Sequence, residues 1–216
     1  MFTRSEEDHL KAIHTLSVTG TKASTSAISE RLDTKASSVT DMLKRLAEKG
    51  LVAHEPYHGA KLTTSGRKAA LVLIRRHRLW ETFLVDKLGF RWDEVHEVAE
   101  QLEHVSSEKL IDRLDAHLGH PRFDPHGDPI PDKNGRMITR KLLPLSRCIA
   151  GDHVELSSVR NGTDALLHYL TRKGIALGVA ITITATHEFD GSMELKLGDG
   201  RILSVSREVA EQLMVQ

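Results

Sequence analysis

Residues 5–64 constrain the fold most tightly, because three short amphipathic stretches and two short β-prone ones follow one another with almost nothing between them. SEEDHLKAIHTLSV sets apolar residues at 10, 13, 16 and 18, the spacing of one helix face, and Ser5 is placed to cap it. STSAISERLD, residues 24–33, predicts a short second helix that buries Ile28 and Leu32. TKASSVTDMLKRLAEKG predicts a third, with Val39, Leu43 and Leu46 inward and Gly50 as its stop. LVAHEPYHGAKLTT reads as two strands about a Pro-Tyr-His-Gly turn. Together these make the pattern of a winged helix-turn-helix.

The third helix opens with Lys35, Ser37, Ser38 and Thr40 and carries Lys44 and Arg45 further along. Small hydroxyls and cations at a helix start suit phosphate and base-edge contacts in a major groove, whereas the plain alternative is a solvated polar face. His58 and Lys61 of the hairpin would add backbone contacts. Charge favours the DNA reading. Residues 1–76 carry 13 Lys/Arg against 8 Asp/Glu, a net of +5, although the whole chain is neutral. Residues 77–146 carry 10 against 13 and residues 147–216 carry 7 against 9. A basic front on an acidic remainder suggests a polyanion-binding module attached to something else, and with the winged-helix pattern the expected partner is double-stranded DNA.

SGRKAALVLIRRHRLWETFLVDKL, residues 65–88, predicts a long helix leading away from the hairpin. FRWDEVHEVAEQLEHV and SEKLIDRLDAHL follow, with apolar stripes beyond what a lone winged helix needs, so a homodimer interface is expected. Residues 120–146 hold five of the six prolines and read as a linker or irregular arm. From Leu145 the period changes to two: GDHVELSSV, VAITITAT, SMELKLG and RILSVS alternate apolar with polar, interrupted by one helix, TDALLHYLTRKG. That is a small β-barrel. The expected class is therefore mainly α with a small β part, divided at 1–75, 76–146 and 147–216.

The start, MFTRSEEDHLKAIH, has no apolar signal-peptide core. GIALGVAITITA at 174–185, the longest nearly apolar run, is too short to span a bilayer. A single cysteine, Cys148, excludes an intramolecular disulfide framework and a CxxC zinc site. A cytoplasmic protein without a membrane partner is expected.

Chemistry concentrates in VHEVAEQLEHV, residues 95–105. At roughly 100° per residue, His96, Glu100, Glu103 and His104 share a wedge of about 100°, and Val95, Val98, Ala99, Leu102 and Val105 lie opposite. The long helix adds His77 and Glu81, an i,i+4 pair, and the first helix adds Asp8 beside Glu6 and Glu7. One such His/Glu pair is more often a surface ion pair than a ligand set. Three groups on helices that ought to pack together point to metal.

EDHLKAIHTL, SSVTDMLKRLAEKGLV and the long block from RRHRLWETFLVDKL to HPRFDPHGDPIP resemble the diphtheria toxin repressor family of metal-dependent regulators, in its manganese-responsive branch. The resemblance covers essentially the whole chain and identifies the C-terminal part with the SH3-like domain of that family. It implies a metal-activated transcriptional repressor of metal-uptake genes, with Asp8, His77, Glu100, Glu103 and His104 at the regulatory metal site. Glu81, His126 and Asp164 fall where longer manganese-type members build a second site. Asp124 stands where that site often has a cysteine, and His96 matches an ancillary ligand of the iron-responsive branch. Lys11 stands where some short manganese regulators have a glutamate.

Carboxylate-rich, thiol-free donor sets favour Mn²⁺, with Fe²⁺ the alternative and Co²⁺ or Zn²⁺ able to bind in vitro. Two other classes compete. A His/carboxylate metalloenzyme is disfavoured, since no nucleophile or general-base motif accompanies the cluster. A winged-helix sensor of an organic ligand would make the His/Glu pairs structural. Asp164 also has a plain reading, as the N-cap of its helix.

Overall fold

A computed structural model describes residues 2–55, 59–160 and 162–216, which divide into two compact units. The first comprises 1–78, 100–112 and 131–136, and the second 79–99, 113–130 and 137–216.

In the first unit α1 (Arg4–Val18), α2 (Thr25–Arg31) and α3 (Ala36–Glu48) precede the antiparallel pair β1 (Val52–Glu55) and β2 (Gly59–Leu62). The core is the one the periodicity predicts: Leu10, Ile13, Ile28, Val39, Leu43 and Leu46 are buried around Leu51, Val52 and Ala60. Val18, at the last turn of α1, is exposed instead. The cap of α1 is Thr3 rather than Ser5, which lies inside the helix. Thr3 wins because Glu6, three residues on, completes a reciprocal capping box with it, worth about 1 kcal/mol. Gly50 ends α3 with φ +68° while the Leu51 amide donates to the Leu46 carbonyl, a closure that suits glycine because a Cβ resists this backbone region. The Ala60 amide donates to the Ala23 carbonyl and so ties the hairpin to the start of α2.

From β2 the chain enters α4 (Thr64–Leu88), whose residues to 78 belong to this unit. Residues 131–136 of the proline-rich stretch are no free linker. Arg75 donates to the Pro131 carbonyl at 2.7 Å, and Asp132 closes a turn by accepting from the Asn134 and Arg136 amides.

The expected helix through 95–105 is shorter than its hydrophobic pattern. Helix α5 spans His96–Leu102, and Glu103 and His104 lie in the turn before α6 (Glu108–His117). The break separates the four residues of the wedge. Glu103 turns inward to 1% exposure, whereas His96 and Glu100 stay exposed, and so does Val105 from the opposite stripe.

The second unit contains a six-stranded antiparallel sheet of order β3-β8-β4-β5-β6-β7, from β3 (Leu143–Pro144), β4 (His153–Val159), β5 (Ala180–Thr186), β6 (Met193–Leu197), β7 (Ile202–Val205) and β8 (Leu213–Val215). Among the described residues two α-helices accompany it, not one: α7 (Asp164–Lys173) and α8 (Arg207–Gln212), the latter running straight into β8. Leu145, Leu156, Leu170, Ile181, Leu195 and Leu213 form its core, and Trp92 packs against it with its indole N–H on Thr171 Oγ1 at 2.8 Å.

Residues 120–130 belong to this unit and are tied to β4. The Val159 amide donates to the His126 carbonyl, and Gly127, at φ +85°, sits where a Cβ would come 2.1 Å from the Ser157 carbonyl oxygen. Gly127→Ala therefore combines a clash with left-handed strain and should destabilise the protein by about 2–4 kcal/mol. Chemical denaturation reads it. An unchanged midpoint would mean that the close approach does not exist.

Candidate metal centre

The first unit gathers donors from three places. Asp8 lies on α1, His77 on α4, and Glu103 with His104 in the turn after α5. Asp8, Glu103 and His104 each offer a ligand atom within 4.8 Å of the others. His104 Nε2 is 3.2 Å from Asp8 Oδ1 and 3.7 Å from Glu103 Oε1. His77 joins through Glu103, its Nδ1 2.6 Å from Oε2. The same oxygen accepts from Lys11 Nζ at 2.6 Å, and Lys11 also lies 3.2 Å from His77 Nδ1. Glu100 stands at the rim, half-exposed, 4.0 Å from Lys11.

Electrostatics follow from this crowding. Burial pushes the Glu103 carboxyl up, but the His77 hydrogen bond and the Lys11 charge outweigh it and hold it below the ordinary carboxylate range. Burial raises the Asp8 carboxyl; the His104 charge opposes this and the Glu103 charge adds to it. A buried carboxylate is stable only with a cation beside it, and Lys11 supplies one here.

The second unit holds another set. Glu81, Asp124 and His126 also offer ligand atoms within 4.8 Å of one another. His126 Nδ1 is 3.8 Å from Glu81 Oε1 and 3.9 Å from Asp124 Oδ1. Its Nε2 is 2.7 Å from the Trp92 carbonyl oxygen. A carbonyl only accepts, so Nε2 carries the proton and Nδ1 turns its lone pair toward the carboxylates. His96 lies 3.4 Å from Glu81 at the exposed edge. Asp124 is fixed by the amides of His126 and Asp128, which donate to its Oδ1.

Asp164 is not among the residues gathered there. It is exposed on the first turn of α7, and it is not the cap either, since Thr163 Oγ1 accepts from the Leu166 amide. Both donor sets are carboxylate and imidazole without sulfur, because Cys148 is buried in the sheet domain. That chemistry fits a hard divalent cation in each.

The predicted DNA-contact residues cluster on the opposite task. Lys35 caps α3 without a side-chain hydrogen bond, and Ser37, Ser38, Lys44, Arg45 and Lys61 are exposed. Thr40 is half-buried and its hydroxyl donates to the Ala36 carbonyl, while Lys44 pairs with Asp41 at 3.6 Å. His58 lies outside the described residues.

Residues 1–60 match the family model described as the iron dependent repressor N-terminal DNA binding domain, and residues 63–132 match its metal binding and dimerisation domain. The chain belongs to the iron-dependent repressor family. Residues 143–216 match the FeoA domain, which corresponds to the sheet domain. The iron-dependent repressor IdeR of Mycobacterium tuberculosis is 38% identical over 222 aligned positions, covering 97% of this chain and 96% of that one. The diphtheria toxin repressor of Corynebacterium efficiens is 34% identical over 187, covering 82% and 81%. A solved manganese-dependent transcriptional repressor in complex with manganese superposes with a TM-score of 0.87 at 39% identity, covering 97% and 98%. This member of the family is a metal-dependent transcriptional repressor with DNA-binding and dimerisation domains, and not an enzyme. No helix among the described residues is long and apolar enough to cross a membrane.

Proposed function

We propose that the chain is a Mn²⁺-activated repressor that binds operator DNA of metal-uptake genes as a homodimer in the cytoplasm. Residues 1–75 would read DNA, 76–146 sense metal and dimerise, and 147–216 form the appended sheet domain. The observation that carries this reading is the Asp8–Glu103–His104 group with His77 beside it and Glu100 at its rim: oxygen and imidazole donors only. When bound, the ion supplies positive charge that favours the arrangement in which these donors converge.

The residues themselves do the coupling. Asp8 sits on the helix that also carries Glu6, and Glu6 accepts from Lys49, the residue that closes α3, at 2.5 Å. Fixing α1 at Asp8 thereby fixes the DNA-reading helix α3. In the same unit Val105 and Leu110 are exposed apolar residues within the dimerisation segment, which supports a homodimer. We assign the second set, Glu81, Asp124 and His126 with His96 at its edge, to a further ion; Asp164 would have to reach it by rearrangement of α7.

Fe²⁺ is the second reading, favoured by the iron-named relatives. Irving–Williams order predicts that Co²⁺ and Zn²⁺ also bind in vitro. Operator retardation titrated with Mn²⁺ and, anaerobically, with Fe²⁺ separates the two, and the ion effective at the lower free concentration is the activator. Retardation that needs no metal at all would overturn both.

DNA contact is separable from sensing. Ser38→Ala with Lys44→Ala should weaken operator binding at least tenfold at saturating Mn²⁺, since base-edge and phosphate contacts contribute about 1–3 kcal/mol each. Metal affinity measured by calorimetry without DNA should stay within twofold. Loss of metal binding in this double variant would show that α3 is not simply the DNA-reading helix.

A further inference from the structure

Of the acidic run Glu6–Glu7–Asp8, Glu6 belongs to the capping box and Asp8 to the metal centre. Glu7 has neither task, yet it is largely buried and both of its oxygens are engaged. Oε2 lies 2.8 Å from His104 Nδ1, and Oε1 accepts from Arg76 Nη1 at 3.3 Å. Glu7 comes from α1, Arg76 from α4, and His104 from the turn after α5, so the chain of contacts joins the three elements that build the centre.

The two nitrogens of His104 face different partners. Nε2 faces Asp8 and Glu103, whereas Nδ1 faces Glu7. Both ring nitrogens face carboxylates, but the Glu7 contact, 2.8 Å against 3.2 Å to Asp8, is the shorter, so the ring proton goes to Nδ1 and Nε2 keeps its lone pair for an ion held by Asp8 and Glu103. We infer that Glu7 is a positioning residue of the metal centre: it fixes the tautomer and orientation of His104, and Arg76 fixes Glu7. The arrangement is that of a metal-ligating histidine whose second nitrogen is held by a carboxylate, a partner whose loss costs about 10–100-fold in metal affinity. Glu7 is not a ligand in this arrangement, because its own oxygens point to Arg76 and to the far side of the imidazole.

This inference rests on the metal-centre reading above, and the experiment keeps the two apart. Cd²⁺ serves as a diamagnetic probe of the full-length protein, with affinity read by calorimetry and the His104 ring read by long-range ¹H–¹⁵N NMR. In the wild type Nε2 should carry the metal-bound shift and Nδ1 the proton. Glu7→Ala should lower Cd²⁺ affinity about 10–100-fold and broaden or split the His104 ring signals. Glu7→Gln keeps an accepting oxygen without the charge and should fall between the two. Arg76→Met leaves the carboxylate in place but unanchored, so its loss should be smaller than that of Glu7→Ala.

Melting of the metal-free variants, followed by circular dichroism, identifies any loss of fold; if Glu7→Ala melts early, the comparison of Glu7→Gln with the wild type decides. Wild-type binding with unchanged affinity in the decisive variant, or metal found on Nδ1, overturns the role of Glu7 alone. A wild type that binds no Cd²⁺ through His104 overturns the metal-centre reading and this inference with it.

Discussion

Exchanging Glu103 for glutamine should abolish activation by metal. Glu103 is the most buried member of the centre, at 1% exposure, and its two oxygens reach Lys11, His77 and His104. Glutamine keeps the volume and one accepting oxygen but removes the negative charge that a divalent ion needs. Loss of an outer partner alone costs about 10–100-fold in affinity, so loss of a ligand charge should exceed roughly 100-fold. Retardation of operator DNA should vanish at Mn²⁺ concentrations that saturate the wild type. Alanine is the poorer probe. It would remove, besides the charge, the oxygen that accepts from Lys11 Nζ and the volume that fills the site, so a lost response could reflect a lost fold. His77→Ala avoids this, because the Glu103–Lys11 pair survives, and it should also lose the response. A Glu103→Gln protein that responds to Mn²⁺ like the wild type removes this residue from the site.

The same residue shows where sequence reading succeeds and where it stops. Helical periodicity places Leu10, Ile13, Val39, Leu43 and Leu46 inward, and they are inward, because burying an apolar stripe dominates the energetics of such helices. Period two finds β4 to β7 for the same reason. Periodicity fails at Glu103 and His104. The stripe through 95–105 predicts a continuous helix, but tertiary contacts to Lys11 and His77 draw Glu103 in, and no local pattern encodes a partner 92 residues away. Caps show the failure on a smaller scale: Ser5 and Asp164 are good caps by type, yet Thr3 and Thr163 take the positions. The three-residue β8 is too short to alternate and follows α8 without a turn signal, so only its pairing with β3 and β4 defines it. Glu7 was visible in the acidic run beside Asp8, but the run gives no reason to prefer it until Arg76 and the back of His104 are seen around it.

Lys11 yields the second large effect, with a sign that depends on what an ammonium does inside a metal site. Its Nζ donates to Glu103 at 2.6 Å, approaches His77 at 3.2 Å and lies 4.0 Å from Glu100. It thus stands among three of the residues assigned to the ion and holds one of them by a charge-assisted bond. A cation bound to the same carboxylate must share or displace it, so the two compete electrostatically. In Lys11→Met the apolar stem remains and the charge goes. The metal-free protein then carries a buried Glu103 carboxylate that has lost its ammonium and keeps only the imidazoles of His77 and His104 beside it, at a cost of about 3–5 kcal/mol. Part of that cost is recovered when a divalent ion binds, because the ion replaces the missing charge. By linkage, what destabilises the free state more than the bound state strengthens binding. Lys11→Met should therefore melt earlier than the wild type without metal, gain more from saturating Mn²⁺, and bind it at least about tenfold more tightly, since a differential of 1.4 kcal/mol is already a factor of ten. Calorimetric titration and paired melting curves with and without Mn²⁺ read all three quantities. If affinity falls instead, Lys11 is not a competitor but a support that keeps an over-acidic cluster together, and the Glu103 bond must persist when the ion is present.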